Sequence, residues 1–147
     1  MEMLSLIHLN KKVFMSKLIF SSNRLFTIFD FFISHSQLLI RSSKNDDYDK
    51  NIDIIFFDVK FQQINTYFKG FKLRMGDKEI FSKKYPSVKE YLSSNENNLF
   101  EIDANNEIYY IAASFAKVYE NELAFNETSL GVLNYQGRDV EITNSMK

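Results

Sequence analysis

The sequence contains no cysteine and no tryptophan, one proline, four glycines and two histidines in 147 residues. Without cysteine there is no thiolate nucleophile, no disulfide and no sulfur-ligated zinc. Two histidines are too few for a multi-histidine metal centre. The lack of cysteine matches a reducing cytoplasm. Scarce proline and glycine leave few positions for tight turns. A net charge of −1 gives no global field favouring nucleic acid or an anionic membrane. The sequence has no G-x-S-x-G, P-loop, G-x-G-x-x-G or H-E-x-x-H motif, so no catalytic residue, cofactor or metal is assigned.

What the chain has instead is aromatic and β-branched residues, with 15 Phe and 8 Tyr. These favour strands. The length suits one domain with a core of its own. Residues 1–14 precede a second plausible start at Met15-Ser16-Lys17 and read either as a non-native or disordered extension or as genuine structure. Residues 15–147 read as one domain. A signal peptide is the rival reading of the N-terminus. Polar residues at 21–24 interrupt its apolar stretch, and no small-residue cleavage site follows. The apolar run 26–33 is far shorter than a bilayer span of ~20 residues. The expectation is a cytoplasmic protein with no membrane partner.

Strand-like runs occupy 25–33, 37–41, 51–61, 70–75, 79–81, 99–102, 107–119, 130–135 and, more weakly, 139–143. Ser34, His35 and Ser36 form a bend between the first two, and 42–50 is a polar acidic loop. The run 51–61 is apolar on both faces and reads as a central strand. Gly76-Asp77 reads as a hairpin turn. The run 107–119 admits a helix through Ala112, Ala113 and Ala116, although its Ile-Tyr-Tyr-Ile opening favours a strand. One helix is expected near 86–94, where Ser87 and Glu90 have capping-box spacing and Val88, Tyr91 and Leu92 form an apolar stripe. The fold class is therefore α+β: a mainly antiparallel sheet of about five to eight strands with one short helix.

Four polar residues in or beside the apolar runs are candidates for a pocket or a buried polar cluster: His35, Arg41, Asp58 and Asp30. A charge in a sheet interior requires a partner, so Arg41 is expected near Asp58 or Asp30. His35 is the natural general base if the cluster opens to solvent. The stretch 47–58 places acids or amides at alternate EF-hand positions but has Ile52 where that loop needs glycine, so calcium is not expected. Asn126-Glu127-Thr128 has the glycosylation pattern, and 125–131 is more useful as a loop rich in hydrogen-bonding groups. Charge is segregated: residues 60–89 carry eight Lys/Arg against two acids, and 90–127 carry eight acids against one Lys. Either the two segments neighbour and neutralise each other, or they form faces that steer a charged protein partner.

The strings HSQLLIRS, NIDIIFFDVKF, FKGFKL, YYIAASF and ETSLG resemble those of small stand-alone bacterial proteins, some of them immunity proteins encoded beside toxins. The resemblance spans about 26–133 and implies a non-enzymatic binder without assigning any residue a role. The leading expectation is a non-catalytic binding protein with a protein partner. The alternatives are a small enzyme or ligand-binding domain around His35, Arg41 and Asp58, and a homo-oligomeric structural protein pairing through a sheet edge.

Overall fold

The structure is a computed structural model describing residues 16–130 and 139–146. Nine strands form one antiparallel sheet: β1 (Leu18–Phe32), β2 (Gln37–Ser42), β3 (Asn51–Phe57), β4 (Phe61–Gln63), β5 (Tyr67–Met75), β6 (Asn98–Ala104), β7 (Glu107–Ala113), β8 (Phe115–Asn121) and β9 (Val140–Asn144). Their spatial order is β4-β7-β6-β5-β1-β2-β3-β8-β9. Two short helices, α1 (Lys78–Lys84) and α2 (Lys89–Ser93), lie between β5 and β6. The α+β, mainly antiparallel class expected from the sequence is the one observed.

The sheet turns a corner. β3 and β4 run on from one another through Asp58–Lys60, and β7 and β8 through Ser114. The two runs pair along their length, from Asn51↔Asn121 to Gln63↔Tyr110. Backbone bonds bridge the corner, from Ser114 N to the Phe57 carbonyl and from Lys60 N to the Ala112 carbonyl, each 2.8 Å. Asp58 makes the bend with φ +55°, a left-handed conformation that aspartate tolerates better than most residues. Bends of this kind carry a strand from one packed layer into the next. Phe26, Leu38, Ile40, Ile54, Phe56, Phe68, Phe71, Leu73, Phe100 and Ile111 are all buried on the inner surface. Rings meet across it at centroid distances of 5.0 Å (Phe26–Phe71) and 5.5 Å (Phe56–Phe100).

Four local expectations need correction. Residues 79–81 are helical, not a strand. The Asp77 side chain accepts from the Glu79 and Ile80 amides, so Asp77 is a helix cap and not part of a hairpin turn. The helix near 86–94 is a 3₁₀ turn, Pro86–Val88, running into α2, and no side-chain cap is made there, so the Ser87–Glu90 capping box does not form. The expected strand 51–61 breaks at Asp58 and resumes at Phe61. The run 107–119 is strand, as preferred, in two pieces. The extension 1–14 and the run 130–135 beyond Leu130 lie outside the described residues.

Candidate functional site

Strand alternation puts Ile52, Ile54 and Phe56 on the inner face of β3, so Asp53 points to the outer face. β2 pairs with β3 in the register Arg41↔Asp53. The result is a bidentate ion pair: Arg41 Nε donates to Asp53 Oδ1 at 2.6 Å and Nη2 to Oδ2 at 2.9 Å. Neither side chain has any exposed surface. Asp53 Oδ2 also accepts from Asn121 Nδ2 (2.8 Å) and Ser129 Oγ (2.7 Å), which fills the carboxylate. Arg41 Nη1 donates to the Glu127 carbonyl at 2.7 Å, and its guanidinium lies 3.9 Å from the Phe29 ring centre. Asn121 links the pair outward, its Nδ2 to Asp139 Oδ1 and its Oδ1 accepting from Asn51 Nδ2, both 2.8 Å. The strap 122–130 thus lies over the pair, and Leu130 packs on Leu39 and Ile55 beside it.

The four candidate residues do not converge. Arg41 is buried as expected, but its partner is Asp53, five residues before Asp58. Asp58 is exposed at the corner. Its Oδ2 accepts from Ser114 Oγ at 3.1 Å, and its carbonyl accepts from the Tyr91 hydroxyl at 2.6 Å. Burial, then the neighbouring Asp58 charge, pushes the Tyr91 phenol up to about 12. His35 is exposed in the 3₁₀ turn Ile33–His35, with Nδ1 2.9 Å from Ser34 Oγ and its ring 5.0 Å from that of Phe32. It shares the Asp58 end of the sheet, because Val59 N bonds to the Ser36 carbonyl at 2.9 Å. Asp30 sits beside a β1 bulge, and its Oδ1 accepts from the adjacent Phe31 amide.

Sequence reasoning also missed Arg24. It points inward at the opposite rim, where Nε donates to Ser42 Oγ (2.9 Å) and Nη2 to the Lys50 carbonyl (2.9 Å), with Tyr48 stacked at 4.1 Å. Desolvation lowers its pKa. It clamps the 42–50 loop.

Charge segregation resolves into cross-strand complementarity along part of its length. β5 and β6 are neighbours, with Lys72 opposite Asp103 and Arg74 opposite Glu101. Burial raises the Glu101 pKa, and Arg74 is the chief opposing influence. Other lysines of the basic segment have no acidic neighbour across a strand: Lys69 on β5 faces Leu25, and Lys78, Lys83, Lys84 and Lys89 are on the helices. There a groove of about 480 Å³ is lined by residues of α1 and α2, among them Lys78, Lys83, Lys89 and Leu92.

No protein-family model, curated protein or solved structure matches the chain. Among the described residues no helix is long and apolar enough to cross a membrane, and no three His, Cys, Asp or Glu side chains gather as a metal set.

Proposed function

We propose that this is a cytoplasmic, non-catalytic binding protein of the immunity type, acting by holding a protein partner. One observation carries the reading. The buried charges are consumed internally by Asp53, Asn121, Ser129 and main-chain carbonyls, whereas the open concave surface between the helices presents lysines to solvent. A pocket built on His35, Arg41 and Asp58 would need those groups at one cavity mouth, and the geometry separates Arg41 from the other two. The test is affinity capture with the full chain from the cells that encode it, followed by reconstitution from purified components. The expected result is a complex of defined stoichiometry in size-exclusion chromatography. A strictly monomeric mass with no partner that survives reconstitution would defeat the proposal.

A second reading, self-association, draws on β9. Among the described residues no strand pairs with its outer edge, and Val140 and Ile142 are 61% and 39% exposed. Light scattering at several concentrations separates a dimer from a monomer.

A further inference from the structure

The groove between α1 and α2 has a defined chemical character. Beneath it Leu92, 2% exposed, is buried against Phe81, Val88 and Leu99 on the sheet's outer face and anchors α2. The groove's polar groups divide into spent and available. Ser82 Oγ donates to the Lys78 carbonyl and Ser93 Oγ to the Glu90 carbonyl, each at 2.6 Å. Lys78 Nζ is held by the Ser94 and Asn97 carbonyls at 3.0 and 2.7 Å, which ties the start of α1 to the turn after α2. Lys83 and Lys89 remain. Both are exposed, and the ion pairs among the described residues are Arg41–Asp53 and Lys117–Glu141, so neither lysine holds a carboxylate. Glu79 is the single acid on the lining, against three lysines.

We infer that this groove docks an acidic segment of the partner protein, with carboxylates against Lys83 and Lys89. The inference rests on the binding function proposed above and names the surface and the partner's chemistry. The occupant is a peptide and not a free anion because the two open cations, Lys83 and Lys89, stand on different helices. That arrangement matches acidic side chains spaced along one segment. A lone phosphate would require donors converging on one point. Rim charges of this kind govern association rate and salt dependence.

The probe is a synthetic peptide of glutamates interspersed with leucines, titrated into the ¹⁵N-labelled full chain. The expected result is saturable amide shifts confined to 78–95 that weaken as salt rises. The double variant Lys83→Glu/Lys89→Glu, at exposed positions and with unchanged thermal unfolding, binds the peptide at least about tenfold more weakly. A matching lysine–leucine peptide regains affinity for that variant. Shifts elsewhere, indifference to the charge reversal, or equal binding of inorganic polyphosphate would overturn the inference. If a reconstituted partner binds wild type and the charge-reversed variant equally, the groove is excluded while the binding function stands. Failure to reconstitute any partner removes the binding function itself.

Discussion

Arg41 and Asp53 face each other across β2 and β3 as a bidentate pair with no exposed surface. Removing one partner strands a buried charge. Asp53→Ala is expected to cost about 3–5 kcal/mol in urea unfolding, and replacing both residues with apolar ones of similar volume recovers most of that loss. A single variant within ~0.5 kcal/mol of wild type would show that water or another group replaces the carboxylate.

Asn121 is the hinge of the polar cluster. Its amide donates to Asp53 and Asp139, and its carbonyl oxygen accepts from Asn51. Asn121→Ala leaves buried groups on Asp53 and Asn51 short of partners and is expected to cost about 1–3 kcal/mol. Because the same residue also accepts from the Leu123 amide, limited proteolysis should find the 122–130 strap cut sooner in this variant.

The start of α1 offers two contrasting substitutions. Asp77→Ala removes the cap on the Glu79 and Ile80 amides, an expected loss of about 1 kcal/mol. Gly76→Ala acts by crowding, since its Cβ would stand 2.9 Å from Leu99 Cδ2 and 3.1 Å from Glu101 Cγ. The expected cost is about 1–3 kcal/mol. Denaturation midpoints of the two variants give the comparison, and a Gly76→Ala protein as stable as wild type would mean that Leu99 shifts freely.

Tyr91 should control part of the alkaline limb of stability. Its folded pKa, about 12, lies above the ordinary tyrosine value of 10.0. The folded form therefore holds the proton more tightly than the unfolded chain. This contribution is complete below pH 10 and is lost as pH rises towards 12. Tyr110 and Tyr119 are raised in the same direction, chiefly by burial. Absorbance of phenolate against pH should show tyrosines titrating above the ordinary range. Tyr91→Phe should remove one of them and flatten the fall in stability over that window.

Most strands are legible because an alternating or continuous apolar run has few other ways to be buried. The bend at Ser34–Ser36 and the acidic loop 42–50 are legible because they lack such residues. α1 is not: seven residues carry too short a period to outweigh the strand-like appearance of Glu-Ile-Phe. The site was half legible. Arg41 in an apolar run signals a buried pair, but the choice of Asp58 or Asp30 passed over Asp53, which lies in the same run as Asp58. Asp53 carried the available signal, since it alternates with Ile52 and Ile54 and so faces away from the inner core. Arg24 was hidden in a polar tetrad that reads as a loop.

The sequence by itself determined the strand-rich class and the need for Arg41 to find an acid, because those follow from local periodicity and the cost of burying charge. Register, the corner at Asp58 and Ser114, and the closing of the 122–130 strap were decided only by the tertiary structure. An eight-residue loop, Ser43–Lys50, joins β2 to β3 without dictating which residues meet. A shift of one position would turn every side chain of β3 to the opposite face. Burial of Ile52, Ile54 and Phe56 against strands distant in sequence selects the register, and that choice places Asp53 opposite Arg41.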